Sequence, residues 1–132
     1  LIMDMKTGHV SMCNAGHNPP FVLRKERIEM LASSSDEINV PLGVEEDAAF
    51  KEREVILEPG DALALYTDGV TDAINSKDEL FGESRLMECL RRSAGGSNRD
   101  LCDRLFRAIA EHQQQCEQFD DITLLFCKFL GS

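Results

Sequence analysis

The sequence predicts an α+β domain in which helices cover antiparallel sheet. Short extended segments, separated by glycine and proline turns, occupy most of residues 1–66. Two segments of helical periodicity follow at 83–92 and 99–114, and the chain closes with an apolar strand at 121–129. Many strands, a pair of helices and a last strand are the order expected of a layered α+β domain, and 132 residues suffice for one hydrophobic core.

The strands of the first part are bounded by residues that interrupt backbone pairing. Consecutive prolines at positions 19 and 20 cannot donate hydrogen bonds to a ladder, and turns at 41–43 and 58–61 make further breaks. The segment 62–66 is apolar at every position, which is typical of a strand covered on both faces. Extended segments are expected at residues 2–3, 9–14, 21–23, 28–31, 54–57 and 62–66, with a polar loop at 33–37.

The second helix has the clearer amphipathic pattern. Leu101, Leu105 and Ile109 recur every four residues and form one apolar stripe. Either Ser97 or Asn98 is expected to cap its start, because both side chains accept hydrogen bonds from free backbone N–H groups. A pair of glycines separates this helix from the one before it.

Charge and hydropathy argue against two classes of partner. The 14 basic and 24 acidic residues give a net charge of −10, and the basic side chains stand among acids, as in the solvated hairpin expected at 24–27. Nucleic-acid binding depends on clustered lysine and arginine, so no nucleic-acid partner is expected. No apolar run approaches the roughly 18–20 residues of a membrane-spanning helix, so no membrane contact by this segment is expected either.

The five cysteines are odd in number, and none forms a Cys-x-x-Cys pair. A disulfide framework and a zinc site are therefore both disfavoured. Cys89 and Cys102 lie among helical apolar residues and Cys127 lies in the last strand, so buried, reduced thiols are expected. No histidine stands at a spacing that would indicate a cysteine nucleophile.

Two carboxylates stand at the ends of apolar strands. Asp68 follows the segment 62–66, and Asp120 precedes the segment 121–129. If the strands are antiparallel neighbours about 5 Å apart, both carboxylates face the same rim of the sheet. Mg²⁺ or Mn²⁺ suits such oxygen ligands and would offset their repulsion. Spacing alone leaves the other interpretation open, because Asp-Gly is a common turn dipeptide and Asp120 also fits a solvated loop end.

Five ordered stretches resemble one known family. They are NAGHNPP (14–20), PLG (41–43), PGDALALYTDGVTDA (59–73), FG followed by RL (81–86) and FDDITLL (119–125). In this order and spacing they resemble the C-terminal half of the sporulation-type serine phosphatases (SpoIIE, RsbU-like), which belong to the metal-dependent PPM protein phosphatases. The resemblance covers nearly the whole chain.

The resemblance implies a fold and a metal site. The family fold is an antiparallel β-sandwich flanked by helices, layered α/β/β/α, with a binuclear Mn²⁺ or Mg²⁺ centre at one end. The Asp of TDG and the first Asp of DDIT are metal ligands in the family, which implies ligand roles for Asp68 and Asp120. Asp121 stands where wider relatives carry Asn, so it is expected behind the ligands, with Gly69 and His17 as further candidates there.

The implied chemistry needs no protein nucleophile, because a metal-activated water attacks phosphorus. The implied substrate is phosphoserine on a regulatory partner such as an anti-sigma-factor antagonist, in cytoplasmic signal transduction and sigma factor regulation. His17 has two interpretations: its ring stiffens the turn by bonding the backbone, or it is a catalytic acid or phosphate contact.

The chain departs from the family pattern in one respect. The remaining ligands of the family belong to an earlier Asp-x-x-Gly-x-Gly segment, which these 132 residues lack. Residues 1–132 are therefore expected to be the C-terminal portion of one phosphatase domain, without its N-terminal portion and with weak or no activity alone. Missing strands would leave a sheet edge free, so a homodimer is also expected. The alternative function is a non-catalytic regulatory binding module that retains the fold.

Overall fold

Two antiparallel sheets pack face to face in the computed structural model, which describes residues 1–25, 27–31, 40–92, 96–114, 116 and 120–131. In spatial order, the first sheet consists of β1 (Ile2–Met3), β2 (His9–Cys13) and β5 (Glu52–Ile56). The second sheet consists of β4 (Ile28–Met30), β3 (Phe21–Leu23), β6 (Ala62–Tyr66) and β7 (Leu124–Lys128). Between β6 and β7 in the chain come α1 (Asp68–Thr71), α2 (Gly82–Arg92) and α3 (Asn98–Gln113).

The space between the sheets is filled by apolar side chains from both. Val10 of β2 forms one buried cluster with Val22 of β3 and Leu63 of β6. Leu57 and Phe129, which follow β5 and β7, complete this cluster. These positions alternate with residues on the opposite faces of their strands, as period-2 side-chain geometry requires.

β6 is covered on both faces, as its apolar run predicts. Leu63 belongs to the core between the sheets, whereas Ala62, Ala64 and Tyr66 belong to the core beneath the helices. The strand therefore separates two hydrophobic cores, and burial on both sides fixes which residue faces which core.

α2 and α3 pack on the outer face of the second sheet through one apolar stripe each. Leu86 and Leu90 of α2 are buried, as are Leu101, Leu105 and Ile109 of α3. The four-residue spacing places these side chains on one face of each helix. No helix among the described residues has the length and apolar character needed to cross a membrane.

A capping box fixes the start of α3. The Ser97 hydroxyl accepts the Asp100 N–H at 3.1 Å, and the Asp100 carboxylate accepts the Ser97 N–H at 3.1 Å. The Ser97 hydroxyl also donates to Asp100 Oδ2 at 2.7 Å, and this bond, followed by the one from the Ser97 N–H, lowers the pKa of the Asp100 carboxyl. Ser97 is thus the cap, while Asn98 is the first helical residue and donates through Nδ2 to the Phe126 carbonyl at 3.1 Å.

The predicted α+β class and antiparallel β-sandwich are confirmed, with the helices as the layer on the second sheet. β5 begins at Glu52, earlier than the predicted residue 54, because it pairs with β2 along the whole of both strands. The polar loop at 33–37, the glycine at 95 and Phe119 lie outside the described residues.

Asp68 does not begin the Asp-Gly hairpin turn that spacing left open, because Asp68–Thr71 forms one helical turn, α1. An Asp-Gly hairpin would return the chain directly beside β6, whereas the neighbours of β6 are β3 and β7. The last strand starts at Leu124 and not at the predicted residue 121. The later start of the last strand arises from hydrogen bonds between Thr67, which follows β6, and residues 121 and 123.

The cysteines form no disulfide among the described residues, as predicted, but their burial is only partial. Cys13 is exposed, and Cys89, Cys102 and Cys127 are half-buried. Burial raises the pKa of both the Cys89 and the Cys102 thiols. The two side chains therefore stay protonated at neutral pH, which does not favour a nucleophilic role.

Arg24 is not the solvated side chain that the sequence predicts. Its side chain is 18% exposed, and its guanidinium forms an ion pair with Asp61, which is 8% exposed. Asp61 Oδ2 also accepts the N–H of Glu58 at 3.0 Å. The pair joins the hairpin between β3 and β4 to the turn before β6, and removal of Arg24 would leave the buried charge of Asp61 uncompensated.

Tyr66 ends β6 with a buried phenol. Its side chain is 3% exposed and stacks on Phe21, with the ring centroids 5.6 Å apart. The hydroxyl has no hydrogen-bond partner in the part of the chain that the structure describes. Burial, with a smaller contribution from the Glu83 carboxylate, raises the pKa of Tyr66 to about 12.

We expect Tyr66 to make folding less stable as the medium becomes strongly alkaline. A tyrosine in the unfolded chain has a pKa of about 10, and the folded pKa of Tyr66 is about 12. The stabilising contribution is therefore complete below the unfolded pKa and is lost as the pH rises through the folded pKa. Tyr66→Phe should remove this part of the pH dependence of the free energy of unfolding.

Tyr66 is the only tyrosine in the sequence, so its phenolate absorbance reports on this side chain alone. The measurement is a titration of that absorbance in the folded and in the denatured protein. Equal midpoints in the two states would contradict the burial argument.

Candidate metal centre

The strand pairing on which the predicted site depends is present. β6 and β7 are antiparallel neighbours, and Tyr66 at the end of β6 lies opposite Leu124 at the start of β7. The chain that leaves β6 and the chain that enters β7 therefore meet at one rim of the second sheet. Asp68 stands in the first of these segments and Asp120 in the second.

Residue 67 contacts the segment 120–123 directly at this rim. The Thr67 hydroxyl donates to the carbonyl oxygen of Asp121 at 2.7 Å and accepts the N–H of Thr123 at 2.9 Å. The Thr67 N–H donates to the carbonyl oxygen of Thr123 at 3.2 Å. Because the Thr67 side chain takes the Asp121 carbonyl and the Thr123 N–H, regular pairing of the last strand begins only at Leu124.

Gly69 allows the two backbones to approach closely. A Cβ atom on Gly69 would lie 2.5 Å from the carbonyl oxygen of Asp121 and 3.2 Å from that of Asp120. Any side chain would therefore force the two segments apart. Gly69 is not one of the glycines with positive φ, so close approach, and not a left-handed turn, requires glycine here.

The carboxylate of Asp68 is exposed at the first residue of α1. Its Oδ1 accepts the N–H of Gly69 at 3.0 Å. The backbone carbonyl of Asp68 accepts the N–H of Asp72 at 2.8 Å and the hydroxyl of Thr71 at 3.1 Å. The carboxylate thus stands on a backbone that the helical turn fixes.

Asp120 and Asp121 are exposed on the facing segment. Asp120 Oδ1 accepts the N–H of Asp121 at 2.7 Å. The carbonyl oxygen of Asp121 in turn accepts a hydrogen bond from the hydroxyl of Thr67. The contact of Asp121 with the site is therefore made through its backbone.

The donor chemistry of Asp68 and Asp120 fits a hard divalent cation. Carboxylate oxygens are ligands that Mg²⁺ and Mn²⁺ prefer, and Mg²⁺ takes about six oxygens, several of them from water. Over the residues that the structure describes, no three His, Cys, Asp or Glu side chains are grouped so that they could hold a metal ion. The two carboxylates fit such a site as part of its ligand set.

The turn that contains His17 lies at the same end of the sandwich. β3 is antiparallel to β6, so the residues before β3 lie at the end where β6 finishes. Asn14 holds this turn, donating through Nδ2 to the His17 carbonyl at 2.8 Å and accepting the His17 N–H at 2.9 Å. His17 Nδ1 donates to the carbonyl of Asn18 at 2.9 Å, which is the kind of ring-to-backbone bond expected if His17 stiffens the turn. A catalytic role for His17 stays a prediction.

A second turn packs against the His17 turn. Gly16 has a φ of +89°, and a Cβ there would lie 2.7 Å from the Cα of Pro41. The N–H of Leu42 donates to the carbonyl of Ala15 at 3.3 Å. The stretches NAGHNPP, PLG, TDG and DDIT, which are far apart in the sequence, are thus gathered at one end of the fold.

A cleft of about 820 Å³ lies at the other end of the second sheet. Its walls include Ala62 and Lys128, which are paired at the ends of β6 and β7 remote from the carboxylates. Arg24 and Asp61 also line it, and their ion pair neutralises both charges. The cleft and the carboxylate rim are therefore separate features.

Sequence reasoning did not single out Thr67. A threonine directly before a helix start is typical of an N-cap, and this signal could have indicated α1. The bonds from Thr67 to residues 120–123 depend on the pairing of β6 with β7, and no local sequence pattern predicts that pairing.

Known proteins share both sequence and fold with this chain. The sequence profile of the family described as stage II sporulation protein E (SpoIIE) matches residues 1–130. Protein IcfG of Synechocystis sp. is 34% identical over 124 residues, which make up 94% of this chain and 19% of IcfG. The chain therefore spans about a fifth of the length of this curated relative.

Two solved structures illustrate the similarity of fold. The SiaA-PP2C domain of Pseudomonas aeruginosa superposes with a TM-score of 0.80 at 25% identity, over 93% of this chain and 47% of that one. The phosphatase domain of the cell fate determinant SpoIIE from Bacillus subtilis (Mn presoaked) superposes with a TM-score of 0.73 at 14% identity, over 97% and 54%. The chain spans about half the length of these solved chains.

We expect Gly69→Ala to push residues 120–123 away from α1, because the new Cβ would lie 2.5 Å from the Asp121 carbonyl oxygen. The free energy of unfolding should fall by about 1–3 kcal/mol, as overpacking usually costs. Denaturant titration measures this loss, and amide NMR shifts of residues 121–123 report the displacement.

Gly43→Ala is the matched control. No atom lies within 4 Å of its Cβ position, so this substitution adds only the backbone strain of a φ of +87°. Unmoved amide signals at 121–123 in Gly69→Ala would show that the close contact is absent in solution.

Proposed function

This chain belongs to the stage II sporulation protein E (SpoIIE) family, and on that premise we propose that it forms the C-terminal portion of a metal-dependent protein serine phosphatase domain. One observation carries the proposal: the pairing of β6 with β7 brings Asp68 and Asp120 to one exposed rim. The fold supports it, because the structural neighbours are PP2C-type phosphatase domains.

Asp68 and Asp120 are, in this proposal, the residues that hold Mn²⁺ or Mg²⁺ in a binuclear centre. When bound, two such cations supply an activated water and the positive charge that binds phosphate oxygens. The two carboxylates place that charge at the rim, and no side chain of this chain forms a bond to phosphorus. Gly69 and Asp121 act behind them through their backbone contact, and His17 is a further candidate at the same end.

The proposed substrate is phosphoserine on a cytoplasmic regulatory protein of the anti-sigma-factor-antagonist type. The resemblance of the five ordered stretches supports this substrate class. The shape of the rim supports it as well, because both carboxylates are exposed and a phosphoserine on a protein surface can reach them. The net charge of −10 disfavours a nucleic-acid substrate.

A further, N-terminal portion of the domain is proposed to complete the ligand set and to cover β7. Among the described residues β7 is the edge of its sheet, and its Leu125 is 57% exposed. Leu125 pairs with Leu65, which packs on the core between the sheets. A leucine exposed on a core-facing side is expected where a neighbouring strand and the opposite sheet would extend over it.

We expect Asp68→Asn and Asp120→Asn each to weaken Mn²⁺ binding by at least about tenfold, because each removes a charged ligand. Hydrolysis of a phosphoserine protein should fall with it. Calorimetric titration of the natural full-length protein with Mn²⁺ measures the first effect, and phosphate release measures the second. Asp103→Asn, which changes an exposed carboxylate on α3, is the matched control and should leave both unchanged.

The same experiment discriminates the rival function, a non-catalytic regulatory module. What favours the module is that the described residues contain no group of three ligands. Unaltered Mn²⁺ affinity and unaltered hydrolysis in both variants would rule out the metal site. A wild-type protein that binds a regulatory partner and releases no phosphate would establish the module.

We also expect residues 1–132 alone to self-associate through β7 as the concentration rises, because a free strand edge pairs with another chain. Leu125→Lys should shift the equilibrium to monomer, since it places a charge on the edge strand. Leu42→Lys changes a leucine that is 77% exposed in a turn outside β7 and serves as the control. Size-exclusion chromatography over a range of concentrations measures both, and a strict monomer throughout would contradict the expectation.

A further inference from the structure

We infer that Thr67 is a positioning residue that holds Asp68 and Asp120 at the spacing a shared metal site needs. The inference rests on the proposed function, because it concerns the ligands of the same site. Thr67 touches neither metal nor substrate in this account. It acts through the backbone of residues that adjoin the two ligands in the chain.

Thr67 makes three hydrogen bonds to the segment before β7. Its hydroxyl bonds the Asp121 carbonyl at 2.7 Å and the Thr123 N–H at 2.9 Å, and its own N–H bonds the Thr123 carbonyl at 3.2 Å. Thr67 directly precedes Asp68, and Asp121 directly follows Asp120. The bond to Asp121 therefore joins the nearest chain neighbours of both carboxylates.

The hydroxyl of Thr67 does not cap the helix that Thr67 precedes. Thr67 is the N-cap residue of α1, and a threonine there usually accepts a hydrogen bond from an N–H two or three residues later. The described helix has no such side-chain bond; instead the N–H of Val70 donates to the Thr67 backbone carbonyl at 3.1 Å. The hydroxyl is committed to the facing segment and not to its own helix.

Residues 120–123 of the facing segment lie outside strand β7, which begins at Leu124, so Thr67 supplies hydrogen bonds that the strand ladder does not. Ile122 packs on the core beneath the helices, and the backbone of Gly69 lies against the carbonyl of Asp121. That contact is steric and only limits how near the segment can come. The bonds from Thr67 are attractive. Gly69 therefore sets the shortest distance between α1 and the facing segment, and Thr67 holds the segment at that distance.

This arrangement has a consequence for metal binding. Mg²⁺ and, less strictly, Mn²⁺ need ligands at well-defined distances and angles. Groups that orient metal ligands through hydrogen bonds typically change metal affinity by about 10–100-fold when they are removed. A Thr67 variant without the hydroxyl should therefore lose metal affinity although every ligand is still present.

The test measures Mn²⁺ affinity of the natural full-length protein by calorimetry in four variants. Thr67→Val has nearly the same shape but no hydroxyl, and it should raise the Kd for Mn²⁺ by about tenfold or more. Thr67→Ser keeps the hydroxyl and should restore affinity to near the wild-type value. Thr7→Val removes a hydroxyl in the turn between β1 and β2, where it accepts the N–H of His9 at 3.3 Å, so it should leave the Kd unchanged. Thr67→Ala, which leaves room for a water, replaces Thr67→Val if that variant does not fold.

Hydrogen exchange of the Thr123 amide in metal-free protein provides a second readout, independent of activity. It should be faster in Thr67→Val than in the wild type or in Thr67→Ser, because the amide loses its acceptor. A Thr67→Val protein with wild-type Mn²⁺ affinity would overturn the inference, provided that Asp68→Asn and Asp120→Asn still weaken binding. Equal weakening by Thr67→Val and Thr7→Val would overturn it too. If the two aspartate variants bind Mn²⁺ normally, the proposed function fails and the inference fails with it.

Discussion

The antiparallel pairing of β6 with β7 is the constraint on which the rest of the site depends. Its register sets the end of β6 beside the start of β7, so the residues that follow and precede these strands must meet. A register shift of one residue would turn every side chain of β7 to the opposite face. Leu63 and Tyr66 of the partner strand β6 belong to different cores, and this double burial fixes its orientation. Hydrophobic packing therefore fixes the polar rim.

Local patterns predicted most of the elements because those elements are locally determined. The bounds of α3 were predicted to within one residue, from the apolar stripe of Leu101, Leu105 and Ile109 and the cap at Ser97. The errors lie where a distant residue decides the outcome. Arg24 was expected in solvent, but its partner Asp61 is contributed by the turn before another strand.

The start of β7 escaped prediction for the same reason, since it depends on hydrogen bonds across more than fifty residues of chain, between Thr67 and the segment at Asp121. The short helix α1 differs, because the threonine before it is a local signal that could have indicated it. The carboxylate pair itself came from the resemblance to the family, since spacing alone left Asp68 as either a turn residue or a ligand. The structure adds a physical reason for the Gly that follows it, which is the close approach of two backbones. The ligand roles of Asp68 and Asp120 stay predictions.

The separation of core and rim bears on how a metal would enter such a site. Asp68 and Asp120 are exposed, so water weakens their mutual repulsion and the sandwich can form before any cation binds. The hydrogen bonds of Thr67 and the steric contact of Gly69 hold the two backbone segments together. Neither kind of contact uses the carboxylate of Asp68 or of Asp120. A cation then has to order two short side chains and not two loops, which lowers the entropic cost of binding. The net charge of −10 adds a general attraction for cations that does not depend on the ligands themselves.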